Sequence, residues 1–393
     1  MPKLLQINVV SNMLSTGKVC EDIARVAQEH GWQTYIAYGR WAKPGIQEAR
    51  RVGSSFDMYE HYIEHRMFDN EGFASRRATR NLIKWMEEVK PDIIQLHNIH
   101  DHYLNYPILF KYLATLAIPV VWTQHDCWAF TGGCKYFDML DCWKWKTGCQ
   151  ICPEKRAFFC NKSQYQYELK KKLMSRVNSL TFVPVSDWLG GLIKQSFHSN
   201  REIITIHNGI DISTFKPLPK VSLDGKFRIL GVAAVWHKRK GLDDFIKLRS
   251  MLSEEYDITL VGLSQNQLDL LPKGINGIIR TSNIEEMVQL YSDADVFVNP
   301  TYSDNFPTTN IEALACGTPV VTYRTGGSPE AIDEKTGYIV KQGDIEGLSN
   351  VIKYMKECPI SSNACRKRAE TYFDKDKCFV AYIDLYNIIL NSL

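Results

Sequence analysis

The feature that most constrains this chain is a repeated alternation of short Val- and Ile-rich runs with helical periodicity. The runs "KLLQINVV", "QTYIAYG", "PDIIQLHN", "PVVWTQHD", "LTFVPVS" and "EIITIHN" occupy the first half, and "FRILGVAAV", "DITLVG", "INGIIRT", "DVFVNP" and "PVVTYR" the second. Strands apolar on both sides need cover on both sides. Intervening helices supply it, which predicts two parallel, doubly wound α/β sheets. A chain of 393 residues is too long for one core and suits two domains of roughly 150–200 residues. Prolines, glycines and polar residues break the pattern at "NGIDISTFKPLPKVSLDGK", residues 208–226. The expected organisation is a first domain at 1–207, a linker at 208–226, a second domain at 227–375 and a C-terminal helix at 376–393 that returns to the first domain.

Composition removes several function classes. Apolar residues at 45% and charged residues at 23% belong to an ordinary globular protein, and a net charge of +3 is too mild to argue for nucleic acid. No run of about 18 apolar residues is present, and "MPKLLQINVVSNML" reads as a strand rather than a signal peptide, so the expected location is cytoplasmic. In a reducing compartment, eleven cysteines are expected to be mostly buried thiols unless some are grouped around a metal.

In open α/β sheets, ligands sit outside the carboxyl ends of the strands. "NPTYSDNFPTTNIEALACGTPVV", residues 299–321, is such a place: a strand, a loop carrying Asp304, and a short helix carrying Glu312 and ended by Gly317. Backbone N–H groups at that helix start favour phosphate, and a carboxylate further along can accept bonds from ribose hydroxyls. Solvated loop and helix charges are the bland alternative. "AVWHKRKGLDDFI" adds His237, Lys238, Arg239 and Lys240 after another strand, where a diphosphate would need cations. "YRTGGSPEAI" adds Gly326 and Gly327, which permit close backbone approach.

The string "DNFPTTNIEALACGTPVVTYRTGGSPEAI", followed by "TGYIV" and "GD", resembles the signature of retaining glycosyltransferases of family 4, with "HNGID" and "RKGLDDFI" as supporting matches. Enzymes of exopolysaccharide, O-antigen and colanic acid assembly are of this kind. The resemblance covers essentially the whole chain. It implies the GT-B fold, two Rossmann-like domains facing across a cleft, with an acceptor domain first and a nucleotide-sugar domain second. It further implies that Glu312 binds the ribose, Asp304 contacts sugar hydroxyls, and Lys240 neutralises the diphosphate leaving group. Backbone groups of Asn305, Phe306 and Thr308 approach the sugar and phosphate, and no catalytic metal is needed. The chain departs from the family pattern in having Asp304 for the usual Glu, Pro307 for the usual Gly, and Ala234 where an arginine is common; Arg239 or Lys238 is the substitute for that arginine.

In the first half, "SNMLSTGKVC" places Ser15, Thr16 and Gly17 after the first strand as a small-residue loop, which in the family lies near the phosphates. It is not a Walker loop. His125 ends the strand of "PVVWTQHD", where the family has a histidine against the donor sugar. His97 and His100 end the preceding strand on the acceptor side, and a metal site from these histidines, His102 and Asp101 is a weak alternative. The loop 127–160 contains Cys134, Cys142, Cys149 and Cys152, the last two as C-x-x-C, so a structural zinc, unligated thiols and disulfides all stand open. Lys170, Lys171, Lys172 and Arg176 form a basic helix face, and Arg76, Arg77 and Arg80 add further cations. These are either a solvated surface or an attraction to anionic lipid.

The expected activity is transfer of a sugar from a UDP-, GDP- or dTDP-sugar to a glycan or lipid-linked acceptor, at the inner face of the cytoplasmic membrane, with retention of configuration. A catalytically inactive nucleotide-sugar-binding subunit is the alternative. A nucleotide-dependent oxidoreductase is disfavoured because no G-x-G-x-x-G follows a strand, and a nucleic-acid binder would rest only on the scattered basic segments.

Overall fold

The computed structural model describes residues 1–153, 157–221 and 224–392. Residues 154–156 of the cysteine loop, 222–223 of the expected linker and 393 of the C-terminal helix lie outside the described residues. The chain divides into two compact units: Met1–Ile206 with the residues from Phe379 onward, and His207–Cys378.

Unit 1 holds a seven-stranded sheet of β1 (Lys3–Ser11), β2 (Gln33–Ala42), β3 (Glu48–Arg51), β4 (Ile93–Leu96), β5 (Val120–Gln124), β6 (Leu180–Pro184) and β7 (Glu202–Ile203), ordered β3-β2-β1-β4-β5-β6-β7. Unit 2 holds β8 (Phe227–Val232), β9 (Tyr256–Val261), β10 (Ile275–Ile278), β11 (Val296–Asn299), β12 (Val320–Tyr323) and β13 (Gly337–Val340), ordered β10-β9-β8-β11-β12-β13. Every pairing within these sheets is parallel; Leu5 lies between Tyr35 and Ile94, and Ile229 between Ile258 and Val296. The central strands are buried on both faces, as their Val/Ile-rich runs demand. In both sheets the strand order reverses direction beside the first strand, between β1 and β4 and between β8 and β11. These are the switch points at which doubly wound sheets bind ligands.

Two strands lie outside the runs named above. β3 is "EARR", a mostly exposed edge whose register against β2 aligns Glu48 with Tyr35; charged edges of this kind resist further strand pairing. β13, within "TGYIV", closes the other sheet beside β12.

Residues 210–215 of the expected linker are packed against unit 2. Ile210 bridges to Asp374, and Arg366 donates to the carbonyls of Ile212 and Phe215 at 3.0 and 2.7 Å, so these backbone groups have partners within unit 2. The helix Lys375–Asn391 enters unit 1, where the Tyr386 hydroxyl donates to Gln95 Oε1 at 2.6 Å and Thr123 Oγ1 donates to the Tyr382 hydroxyl at 3.3 Å.

Candidate functional site

In unit 2 the loops after β8 and β11 meet at the switch point. The turn Lys238–Lys240 follows β8, and its carbonyl at Arg239 accepts from the Tyr302 N–H at 2.8 Å and from Thr301 Oγ1 at 3.3 Å, which ties it to the loop after β11. Arg239 donates in return to the Ser303 carbonyl, and Lys240 pairs with Asp304, whose carboxylate lies 3.9 Å from Arg239. Three of the expected donor-site residues are thus brought together, with Lys240 and Asp304 only 19% and 16% exposed. Burial at that level makes the charges interact more strongly than surface pairs do.

Glycines make this convergence possible. Gly241 has φ +77°, and a Cβ there would lie 2.3 Å from the Pro300 carbonyl oxygen. Gly326 has φ +55°, and a Cβ would lie 1.8 Å from the carbonyl oxygen of Asp304, which also accepts from Gly327 N–H at 3.3 Å. No other residue allows the two loops to approach so closely.

The helix Thr308–Ala315 leaves this loop directly, with Pro307 preceding it. Its start rests on a buried polar network that sequence reading missed. Asn310 Nδ2 donates to the Ser328 carbonyl and hydroxyl at 3.1 and 2.9 Å, Asn299 Nδ2 donates to Asn310 Oδ1 at 2.8 Å, and the Thr322 and Ser328 hydroxyls are 2.6 Å apart. The signal was present as polar residues at strand ends, Asn299 and Thr322, inside otherwise apolar runs. The side chains of Asn305 and Phe306 are buried, Phe306 against His207 at 4.9 Å between ring centroids. Their outward contribution is therefore backbone. Glu312, half-buried one turn along, accepts from the fully buried Tyr291 hydroxyl at 2.9 Å, which fixes one of its carboxylate oxygens.

In unit 1 the ends of β4 and β5 carry histidines. His97 and His125 stack with centroids 5.4 Å apart, and His97 Nδ1 is 3.1 Å from His125 Nε2. The amide of Gln6 donates to the Cys20 carbonyl and to Gln47 Oε1, so its oxygen faces His97 Nε2 at 2.9 Å and accepts. His97 then carries its proton on Nε2, accepts at Nδ1, and requires the proton of His125 on Nε2. Burial, helped by the neighbouring His125, lowers His97 well below its usual value. Burial lowers His125 to about 4, with Asp126 opposing and His100 adding. Both rings are neutral near pH 7.

His100 is brought into a different set. It lies buried, 2.8 Å from Asp126 and 3.3 Å from Asp101, while Lys135 pairs with Asp101 and lies 3.7 Å from Glu71. Burial and Lys135 pull His100 down, but Asp126 and Asp101 outweigh them and raise it to about 9. Glu71, His100 and Asp101 place ligand atoms within 4.8 Å of one another, yet Lys135 lies against two of the three residues and already supplies the positive charge.

Two expectations need correction. Ser15, Thr16 and Gly17 lie in the first turn of the helix Leu14–Glu29 rather than in a loop; the turn is made by Asn12 and Leu14 at φ +48° and +56°. Gly17 is buried, with a virtual Cβ 3.0 Å from Val10 Cγ2. Lys170 is not on the basic face: the helix Ser163–Met174 turns it inward, where it is fully buried, donates to the carbonyls of Trp128 and Thr131 at 2.6 and 3.1 Å, and lies 3.4 Å above the Trp128 ring. Lys171, Lys172 and Arg176 remain exposed. The four cysteines line a cavity of about 610 Å³ in their own loop, away from the strand ends.

Among the described residues no helix is long and apolar enough to cross a membrane. Residues 16–214 match the model of Glycosyltransferase Family 4, and residues 226–357 that of Glycosyl transferases group 1. The chain is 24% identical over 379 residues to WcaC of Escherichia coli, named for colanic acid biosynthesis, covering 89% of this chain and 90% of that protein. Sucrose-phosphate synthase of Thermosynechococcus elongatus superposes with a TM-score of 0.75 at 14% identity over 100% of both chains. HepE of Anabaena, solved with UDP and separately with UDP-glucose, superposes in its UDP form with a TM-score of 0.68 at 16% identity, again over 100% of both chains. These likenesses show the GT-B fold. With its first unit matched almost throughout and its second carrying the group 1 pattern, the chain belongs to Glycosyltransferase Family 4.

Proposed function

We propose that the protein transfers a sugar from a nucleotide-diphosphate sugar to a glycan or lipid-linked acceptor in cell-surface polysaccharide biosynthesis, with retention at the anomeric carbon. The observation that carries this reading is the convergence of Arg239, Lys240 and Asp304 at the switch point of unit 2, beside the start of the helix Thr308–Ala315. Breaking the anomeric C–O bond places negative charge on the departing phosphate. Lys240, Arg239 and the N–H groups at the helix start stabilise that charge as it develops. Pro307 offers no N–H, so this task falls to Thr308 and the residues after it. Asp304, held by the two cations, presents its carboxylate to sugar hydroxyls. Glu312, oriented by the Tyr291 hydroxyl, accepts from the ribose.

From unit 1, the neutral His125 contacts the transferred sugar as a hydrogen-bonding group rather than as a cation, because the Gln6–His97 relay sets its tautomer. Gly17 is assigned to the donor phosphates through backbone of the first helical turn, and His97 to holding His125. His100, locked between two carboxylates, shapes the acceptor side without touching it. The roles need no metal at the leaving group. The colanic acid name of WcaC and the UDP and UDP-glucose bound to HepE support the substrate class. Exposed Arg76, Arg77, Arg80, Lys171, Lys172 and Arg176 support attraction to an anionic membrane surface at its cytoplasmic face.

A thermal-shift screen of UDP-, GDP- and dTDP-sugars tests the donor assignment, since a ligand of the native state raises the apparent Tm. One nucleotide class should stabilise the wild type and fail to stabilise Glu312→Ala. An unchanged response in that variant removes the ribose assignment. Donor binding without hydrolysis or transfer would identify a binding subunit instead.

A further inference from the structure

Between Phe130 and the helix starting at Ser163, the described chain forms only two short 3-10 turns, Asp138–Leu140 and Lys144–Lys146. A segment of this length without regular structure is uncommon in a compact domain and needs something besides backbone pairing to order it. Within it, Cys134, Cys142, Cys149 and Cys152 all line one cavity of about 610 Å³, and each is half-buried. The sulfur chemistry of this cavity is unrelated to sugar transfer, so it stands independently of the function proposed above.

The backbone around these thiols is already placed. Gly132 N–H donates to Cys149 Sγ at 3.2 Å, an interaction that favours the thiolate, and the approach requires glycine: a Cβ there would meet the Ser163 carbonyl oxygen at 2.4 Å. Asn161 holds Cys152 from both sides, accepting from its N–H at 3.5 Å and donating to its carbonyl at 2.8 Å. Thr131 Oγ1 donates to the Cys134 carbonyl at 2.6 Å.

We propose that Cys134, Cys142, Cys149 and Cys152 bind one structural zinc ion that orders the segment 131–153. Thiolate donors select zinc over the hard cations, and four of them complete a tetrahedron with no position left for water, so the site is structural. Each thiol releases its proton to solvent as its sulfur binds, and no redox partner is involved. Four thiolates and Zn²⁺ carry a net double negative charge. Among the described residues no three of the four sulfurs lie within 4.8 Å of one another, so capture of the ion includes rotation of the cysteine side chains. The Cys149–Cys152 knuckle, with both ends anchored, is where binding starts.

The test uses the full chain purified under reducing conditions without chelator. Elemental analysis should give about one zinc per chain, falling below about 0.2 in Cys149→Ser and Cys152→Ser. Cys358→Ser, at an exposed position outside the loop, should retain the full amount. Because a cysteine variant could simply fail to fold, the wild type is also loaded with Co²⁺, where thiolate-to-cobalt charge-transfer bands and intense tetrahedral d–d bands should appear. A metal-free wild type with four alkylatable thiols overturns the proposal. So does an intact mass showing disulfides among these cysteines, or a cobalt spectrum without thiolate bands.

Discussion

The two units share a strand order and carry their candidate groups at strand ends, one strand apart in that order, and the groups differ in chemistry. After β8 and β11, unit 2 gathers Arg239, Lys240 and Asp304 into a charged cluster. After β4 and β5, unit 1 stacks two neutral imidazoles on a buried glutamine. The topology therefore supplies a location, and the residues at strand ends decide whether that location favours an anion or an uncharged hydroxyl-rich group. A diphosphate demands the first environment. A sugar ring is better served by the second, where fixed dipoles take the place of water.

The largest effect that would sharpen this contrast is Lys240→Ala. Removing a cation from the departing phosphate should lower kcat by roughly 10²–10³-fold, and an unchanged kcat would break the assignment of unit 2. His125→Ala should lower turnover by roughly 10²-fold, at the low end of general catalytic hydrogen-bonding effects, while donor-induced stabilisation in a thermal-shift assay persists. Loss of both together would mean that His125 itself is needed to hold the donor. Gly326→Ala should destabilise unit 2 by about 1–3 kcal/mol through backbone strain and the clash with Asp304, read as a lower midpoint in urea. A variant as stable as wild type would show that the two loops need not approach so closely.

The smallest effect is a pH dependence that differs between units. Burial lowers His61, His102 and His125 to about 4 in the folded protein, against about 6.5 unfolded, and lowers His198 to about 3. The unfolded chain thus binds more protons in this range, so these groups contribute stability above pH 6.5 that is lost as pH falls toward 4. His100 acts in the other direction: its pairing with Asp126 contributes below pH 6.5 and fades as pH rises through about 9. Among the described residues of unit 2, only His237, an exposed side chain, is a histidine with a lowered value. Calorimetry from pH 7 to 4 should show the transition of unit 1 moving down first. Equal movement of both transitions would contradict the burial of these imidazoles.

Much of this was legible before any coordinates. Every Val/Ile-rich run contains a strand, though "EIITIHN" forms only the two-residue β7, because a mostly apolar run has few other ways to bury both faces. The run "EARR" was illegible for the same reason in reverse: it pairs by backbone alone at an edge. Lys170 illustrates a second kind of miss. Its neighbours Lys171 and Lys172 are exposed, and only the helix phase against Trp128 and the Thr131 carbonyl turns one of three adjacent lysines inward. His97, His100 and His125 read alike as strand-end histidines, yet one accepts from another while the third is an imidazolium between carboxylates.

By itself the sequence determined the layering and the identity of the loops that reach the strand ends, because alternation, turn glycines and residue type are local properties. Only the tertiary structure decided which charges meet, which histidine keeps its proton and which lysine is buried. Those outcomes depend on neighbours far apart in the chain, on distance and on the loss of water, and no local pattern carries that information.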